Sequence, residues 1–211
     1  MEEIYAKLTD LLLDWNDKIN ITAIKDPDEF YKKNILDSLA IKACPQFENV
    51  KSVMDLGTGG GFPGLPLAIN YPEKEFLLVD SIGKKLKVID DVISKLSISN
   101  AKTFHSRAED LPKNRKFDCV VSRAVANMSV LCEYCIPFVK VGGVFIAYKT
   151  EDAMPEIKAA ANAVKILGGE IEDIISDGEE GSGHLFVVVR KVSDTPSKYP
   201  RKAGDPLRKP L

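Results

Sequence analysis

A glycine-rich turn that follows a short apolar run constrains this chain more than any other feature. Residues 53–64 read Val-Met-Asp-Leu-Gly-Thr-Gly-Gly-Gly-Phe-Pro-Gly. Consecutive glycines cost backbone entropy on folding, so a chain keeps them where the backbone must come close to another group. A helix that begins after the turn would present its free N–H groups, which attract anionic groups, at the same place. The pattern predicts a cofactor site at the end of a first parallel strand.

The composition limits the class of protein. The 211 residues, 45% of them hydrophobic and 28% charged, are typical of one globular domain with a sizeable core. No apolar run reaches membrane-spanning length, and the acidic, amphipathic start differs from a signal peptide. We therefore expect a cytoplasmic protein with no membrane partner. The cysteines lie in apolar or helical contexts, which predicts reduced thiols: Cys44, Cys119, Cys132 and Cys135.

Charge is distributed unevenly, although the net charge is only −2. Positions 190–211 hold seven Lys or Arg residues and two Asp residues, so this segment carries +5 and residues 1–189 carry −7. A basic tail on an acidic body fits either an anionic partner such as RNA or a solvated, disordered tail. Charge alone leaves both interpretations open.

Strands and helices alternate from residue 52 onward. Apolar runs predict strands near 52–56, 75–80, 101–104, 117–122, 143–149, 170–176 and 184–191. Helices are predicted between them, near 64–71, 84–96, 127–136 and 153–167. Such alternation gives a parallel sheet with helices on both faces. The link 177–183 is too short for a crossover, so the last two strands should form an antiparallel hairpin.

This plan predicts an α/β, Rossmann-like fold with a seven-stranded, mostly parallel sheet and an antiparallel last strand. It differs from the six parallel strands of dehydrogenases and matches class I methyltransferases that use S-adenosylmethionine. Helices also precede the first strand, at 2–18 and after Asp26-Pro27. We expect an N-terminal helical cap packed on the core, the methyltransferase core, and a basic, Pro-rich arm that is neither strand nor helix: 1–48, 49–192 and 193–211.

The glycine turn alone does not identify the cofactor. From Gly59 to Gly64 it satisfies the dinucleotide pattern G-x-G-x-x-G, which is a weak signal. Asp55 precedes the turn, where its charge would oppose a pyrophosphate, and Pro63 removes a donor from the helix start. No Lys-Ser or Lys-Thr pair follows, as a Walker phosphate loop requires. S-adenosylmethionine suits the turn better, because it has no phosphate and carries an ammonium and a sulfonium that an acid can face.

Later strand ends add candidate site residues. Asp80 ends the second strand, where a carboxylate accepts hydrogen bonds from ribose hydroxyls or caps a helix. We expect the loop 105–110 to flank the adenine. Arg123 ends the fourth strand, at the rim where a substrate would meet the cofactor. An arginine at the end of an apolar strand needs a partner, either a bound anion or Glu109.

The rim lacks an obvious general base. His105 precedes the adenine loop, His184 opens the last strand, and Cys119 lies in the middle of a strand. The Asn/Asp-Pro-Pro-aromatic signature of amine methyltransferases does not follow strand four. These absences favour an acceptor whose lone pair is already free, such as N7 of guanine, which needs alignment and electrostatics rather than a base. Cys132 and Cys135 share one predicted helix, which favours buried thiols over a metal site.

Residues 55–68 read Asp-Leu-Gly-Thr-Gly-Gly-Gly-Phe-Pro-Gly-Leu-Pro-Leu-Ala, which is a highly specific signature. Further motifs lie at 16–22, 34–39, 79–85, 107–109, 121–124 and 199–211. Together they resemble bacterial 16S ribosomal RNA guanine-N7 methyltransferases, the glucose-inhibited division B family, over nearly the whole chain.

The resemblance implies methylation of one guanine in the decoding-region hairpin of 16S RNA, with S-adenosylmethionine as the donor. The partner would be 16S RNA or the small ribosomal subunit rather than DNA, and the protein would act as a monomer. Cofactor contacts, to which our own argument adds Asp80, would fall on Gly57, Gly59, Phe62, Ala108, Glu109 and Arg123. Candidate RNA contacts are Arg123, Lys149, Arg201 and Lys202, and no catalytic residue is assigned.

Two positions depart from the family pattern. Asn34 stands where members usually have His, and Lys149-Thr150 stands where they usually have Lys-Gly. Other functions also stay open. A small-molecule methyltransferase would share the core, although the basic arm argues against it. The missing base also permits a non-catalytic, RNA-binding ribosome assembly factor, and a nicotinamide dehydrogenase fits the pattern least.

Overall fold

The computed structural model describes residues 2–123, 126–177 and 184–211. Within these ranges the chain forms one seven-stranded sheet in the order β3-β2-β1-β4-β5-β7-β6. The strands are β1 (Ser52–Leu56), β2 (Glu75–Asp80), β3 (Ala101–His105), β4 (Phe117–Arg123), β5 (Val139–Thr150), β6 (Gly169–Ser176) and β7 (His184–Lys191). Pairs among the first five strands are parallel, and β7 is antiparallel to both β5 and β6. The predicted fold class is therefore confirmed.

The predicted hairpin is also confirmed in its strands. Pairing of β6 with β7 runs from Gly169 opposite Lys191 to Ser176 opposite Leu185. The connecting residues 178–183 lie outside the described residues, as does Ala124 of the strand-four motif.

The central strands supply two apolar layers, one on each face of the sheet. Val53 and Val121 belong to one buried cluster, and their neighbours Met54 and Val120 belong to the other. This alternation follows from the period of two along a strand, and burial on both faces is typical of parallel sheets.

Helices cover both layers. They are α1 (Glu2–Asn16), α2 (Pro27–Phe30), α3 (Asp37–Leu39), α4 (Gly64–Asn70), α5 (Gly83–Lys95), α6 (Met128–Cys135), α7 (Met154–Ala159), α8 (Ala161–Ile166) and α9 (Asp205–Arg208). The first cluster includes residues of α1, α4 and α5, and the second includes residues of α6, α7 and α8. The single helix predicted over 153–167 is wrong in detail, because α7 and α8 are separate helices on either side of Ala160.

The N-terminal segment reaches the sheet through an irregular helix. The side chain of Asp26 caps α2 by accepting a hydrogen bond from the Glu29 N–H at 2.8 Å. A π-helical turn, Tyr31–Leu36, then connects α2 to α3, and such turns often occur at functional sites. The Tyr148 hydroxyl donates to the Ser38 carbonyl at 2.8 Å, which fastens this segment to β5.

The C-terminal arm differs from the extended segment that we predicted. It contains the short helix α9, and Tyr199 is buried. Gly204, which precedes α9, has a φ of +85°, a left-handed conformation that favours glycine. Arg201 forms an ion pair with the buried Glu133 of α6, with Nη2 and Oε2 2.6 Å apart. The prediction was wrong because local composition does not reveal a partner in a distant helix.

Candidate active site at the carboxyl edge of the sheet

A cavity of about 710 Å³ opens at the carboxyl edge of the sheet. Its wall includes the loops after β1, β2 and β3 and the last residue of β4, Arg123. These residues come together because the carboxyl ends of parallel strands meet at one edge. All of the predicted cofactor residues lie on this wall: Gly57, Gly59, Phe62, Asp80, Ala108, Glu109 and Arg123. The sequence motifs therefore converge on one site.

The glycine turn and the end of β2 form one hydrogen-bonded unit. Gly57 and Gly59 have φ values of +75° and +58°, which glycine adopts without strain. The Gly59 N–H donates to Asp80 Oδ2 at 2.8 Å, and the Ile82 N–H donates to Asp80 Oδ1 at 2.8 Å. The helix-capping role weighed for Asp80 is not seen, because the N-cap of α5 is Ile82 and no side chain caps this helix. The Asp80 carboxylate holds the glycine turn and also lines the cavity.

Asp55 does not face the cavity as the sequence argument expected. Its side chain is fully buried behind the turn. Its Oδ2 accepts hydrogen bonds from the Thr58 hydroxyl at 2.6 Å and from the Gly64 N–H at 2.8 Å. Burial raises the pKa of this carboxyl to about 6, although both hydrogen bonds act in the opposite direction. Asp55 thus shapes the turn and the start of α4 from behind.

Arg123 is held by the N-terminal segment. Its Nη1 donates to Asp37 Oδ2 at 2.6 Å and to the Lys33 carbonyl at 2.9 Å, and its Nη2 donates to Asn34 Oδ1 at 2.8 Å. The guanidinium also lies over the ring of Phe62, 5.4 Å from its centroid. The alternative that Arg123 bridges to Glu109 is wrong, because Asp37 is its carboxylate partner.

A second cavity, of about 570 Å³, lies beside the first and shares Arg123 with it. Lys149 lines it and donates through Nζ to Glu156 Oε1 at 2.6 Å and to the Ala126 carbonyl at 2.9 Å. Asp37 lines it too, with its Oδ1 2.5 Å from His184 Nδ1. Arg123 therefore marks the boundary between two adjoining spaces.

The arm contributes to the first cavity, which sequence reasoning missed. Gly204 and Leu207 lie on its wall. Arg201, predicted to bind RNA, directs its guanidinium at Glu133, and its backbone N–H donates to Glu133 Oε1 at 2.8 Å. Lys202 lies next to it and is exposed. Arg201 thus anchors the basic arm to α6, whereas the side chain of Lys202 is exposed to solvent.

Asn34 is another wall residue that was not predicted to contact the cofactor. It was noted only as a departure from the family pattern. Its contact with Arg123 joins positions 89 residues apart, so the sequence could not predict that contact. The sequence showed only that Asn34 belongs to an N-terminal motif of the family.

The cysteines and histidines take structural positions. All four cysteines are buried free thiols, as predicted. Burial raises the pKa of Cys132 to about 12, so this thiol stays protonated near neutral pH. His105 Nε2 lies 3.0 Å from the Ser81 carbonyl. Among the described residues, no group of His, Cys, Asp and Glu is arranged to hold a metal ion, and no helix is long and apolar enough to cross a membrane.

Solved structures with a similar architecture include proteins named as methyltransferases. The S-adenosylmethionine-dependent methyltransferase SibL in its apo form superposes with a TM-score of 0.61 at 15% identity, over 82% of this chain and 61% of that one. The ribosomal protein L11 methylase from Lactobacillus delbrueckii subsp. bulgaricus has a TM-score of 0.57 at 17% identity, over 75% and 77% of the two chains. These superpositions show that the chain shares the Rossmann-like fold of these two proteins.

Sequence relatives identify the family. The family described as "GidB: rRNA small subunit methyltransferase G" matches residues 1–185. Ribosomal RNA small subunit methyltransferase G of Clostridium novyi (strain NT) is 44% identical over 213 residues, 98% of this chain and 88% of the relative. The protein of the same name from Clostridium perfringens (strain 13 / Type A) is 45% identical over 219 residues, 100% and 92% of the two chains. This chain belongs to the rRNA small subunit methyltransferase G family, which confirms the resemblance, and it is a methyltransferase.

Proposed function

We propose that this chain transfers the methyl group of S-adenosylmethionine to N7 of one guanine in the 16S RNA of the small ribosomal subunit. The observation that carries the proposal is the junction at Arg123, where a cofactor-sized cavity adjoins a second cavity. Membership of the family supports the RNA substrate, because relatives carry that substrate in their names.

The first cavity suits S-adenosylmethionine in size and chemistry. Its volume of about 710 Å³ lies within the range of small-molecule sites. The carboxylate of Asp80 would accept hydrogen bonds from ribose hydroxyls, and Ala108 and Glu109 would border the adenine. The glycines at 57 and 59 leave room for the ligand beside the backbone. When bound, the cofactor's sulfonium supplies an electrophilic methyl group, and the chain supplies position and exclusion of water.

Methylation of guanine N7 requires no general base. The N7 lone pair is free at neutral pH, so the chain need only align the base and stabilise the transition state. Arg123 lies where base and cofactor would meet, and its attachment to Asp37 and Asn34 fixes its position. A base in a duplex would have to leave the stack to reach this junction, so a hairpin or an open strand is favoured.

The basic arm supports RNA as the substrate. Lys202 is exposed and available to phosphates, as are Arg208 and Lys209. Arg123 and Lys149 would contact the nucleotide at the second cavity, whereas Arg201 would act by anchoring the arm. We further propose a cytoplasmic monomer that acts on neither DNA nor a membrane.

The test is labelled methyl transfer from S-adenosylmethionine to 16S RNA and to small-subunit particles, with 23S RNA and duplex DNA as controls. We expect methyl label in either free 16S RNA or the small-subunit particle, and none in 23S RNA or duplex DNA. Equal labelling of all nucleic acids would contradict the specific substrate. Binding of S-adenosylhomocysteine without any transfer would favour the assembly-factor alternative.

A further inference from the structure

Asn34 has a buried hydrogen-bond donor that lacks a partner. The residue is only 7% exposed, and its Nδ2 is buried with no hydrogen-bond partner among the described residues. Its Oδ1 accepts from Arg123 Nη2 at 2.8 Å. A guanidinium only donates, so the amide oxygen must face Arg123 and the amide N–H groups must point elsewhere. Leaving a buried donor unpaired is costly, so such a group in a cavity wall indicates a ligand.

The position of Asn34 within the cavity indicates which part of a ligand it would meet. Asp80 ends β2 and Glu109 follows β3, and both strands lie on one side of β1, whereas Arg123 ends β4 on the other side. Asn34 is bonded to Arg123 and lines the same cavity. A cofactor whose adenosine lies at Asp80 and Glu109 would extend its amino-acid end across the glycine turn towards Asn34.

We propose that the Asn34 side chain binds the cofactor's amino-acid end, with Nδ2 donating a hydrogen bond to its carboxylate. A donor needs an acceptor, and the neighbouring ammonium group of the cofactor offers none. This inference rests on the proposed use of S-adenosylmethionine and assigns Asn34 a role in holding one end of it.

Asn34→Asp isolates the donor. An aspartate keeps an oxygen for Arg123 but replaces the N–H donor with a second acceptor that carries negative charge. Asn34→His is the rescue variant, because a neutral imidazole accepts with one nitrogen and donates with the other. Ser38→Ala is the matched control, because Ser38 lies on the same segment and its hydroxyl donates to the Asn34 carbonyl rather than to the cavity.

The measurement is calorimetric affinity for two ligands, S-adenosylhomocysteine and 5′-methylthioadenosine, which lacks the amino-acid end. Asn34→Asp should weaken S-adenosylhomocysteine binding about tenfold or more, as expected for a hydrogen bond to a charged group. Its affinity for 5′-methylthioadenosine should stay within about twofold of the wild type, about 0.4 kcal/mol, because this ligand lacks the carboxylate that Asn34 would bind. Asn34→His should restore most of the loss, and Ser38→Ala should preserve the ratio of the two affinities.

The inference is overturned if Asn34→Asp binds S-adenosylhomocysteine as tightly as the wild type, or if it loses affinity for both ligands equally. Asn34→Ala, which also removes the donor, answers the same question if the aspartate variant does not fold. A wild-type chain that binds neither ligand would instead contradict the proposed cofactor itself, so the two failures are distinguishable.

Discussion

The two cavities that meet at Arg123 are built in different ways. The first is lined largely by one contiguous glycine turn and by the ends of neighbouring parallel strands, with backbone close to the open space. The second is lined in part by charged side chains that are paired with one another, such as Lys149 with Glu156 and Arg123 with Asp37. Backbone atoms thus define the shape of the first cavity, whereas ion pairs between side chains define the shape of the second.

This difference suggests a division of labour. A backbone-lined cavity keeps its shape with or without a ligand, so cofactor binding should need little rearrangement. A nucleotide that enters the second cavity must compete with existing ion pairs, so its binding should depend more on salt and on single charges. Five variants test this division, and they are taken in order of decreasing effect.

Arg123→Ala should have the largest effect, because Arg123 belongs to both cavities. Its loss leaves Asp37 and Asn34 without their partner in a largely buried place, where removing one member of an ion pair costs about 3 kcal/mol or more. We expect methyl transfer to fall about a hundredfold or more, measured as kcat/KM. Arg190→Ala is the control, since its pair with Glu172 is more exposed. Normal kinetics in the Arg123→Ala variant would show that the junction of the two cavities plays no part in methyl transfer.

Arg201→Ala and Lys202→Ala should separate anchoring from RNA contact in the arm. The Arg201 variant leaves Glu133, 1% exposed, without its partner and should lose about 3 kcal/mol of unfolding free energy in urea titration. The Lys202 variant should change stability by less than about 0.5 kcal/mol. It should instead weaken RNA binding and reduce the slope of log affinity against log salt concentration by about 1, as expected for the loss of one phosphate contact. If the two variants exchanged these effects, the arm would not be anchored as described.

Asp55→Asn should change how the free energy of unfolding depends on pH, because burial behind the glycine turn raises the pKa of the Asp55 carboxyl. Its folded-state pKa of about 6 lies above the ordinary value of 3.8. The wild type therefore has its full contribution from this group below about pH 3.8 and loses it as the pH rises through about 6, a loss of about 3 kcal/mol. The stability difference between variant and wild type should thus move in favour of the variant from pH 4 to pH 7. Melting curves in which this difference stays constant would show that Asp55 does not titrate in that range.

Lys149→Met should have the smallest effect and act on the second cavity alone. The methionine keeps the apolar stem but removes the ammonium that pairs with Glu156. We expect the KM for RNA to rise about fivefold, about 1 kcal/mol, while the affinity for S-adenosylhomocysteine stays unchanged. Lys140→Met, which breaks a more exposed pair with Asp118, is the control. A matching loss of cofactor affinity would mean that the two cavities are not separate sites.

The same contrast explains what the sequence could predict. The strand positions and the hairpin depend on local patterns, chiefly apolar alternation and short links. The seven cofactor candidates depend on the glycine turn, on an acid at the end of a strand and on the motifs that resemble the family. Such patterns place residues at the carboxyl edge of the sheet without contacts from distant parts of the chain. The structure shows all seven cofactor candidates on the wall of the first cavity at that edge.

Residues placed by tertiary contacts escaped prediction. Asp55 seemed to face the cofactor because a sequence does not show on which side of a turn a carboxylate lies, and its burial behind Gly64 decides that. Arg123 met Asp37 rather than Glu109 because the N-terminal segment packs over the end of β4. The arm folded because Glu133 binds Arg201 across 68 positions. None of these contacts has a local signature.

The central claim is that the junction at Arg123 delivers a methyl group to guanine N7, and analysis of the product nucleoside tests it most directly. Small-subunit RNA labelled by the wild-type chain would be digested to nucleosides and analysed by mass spectrometry. We expect 7-methylguanosine as the single labelled nucleoside, at no more than one per 16S molecule, and its formation about a hundredfold or more slower with the Arg123→Ala variant. Label in a different nucleoside, or in many guanines, would contradict it.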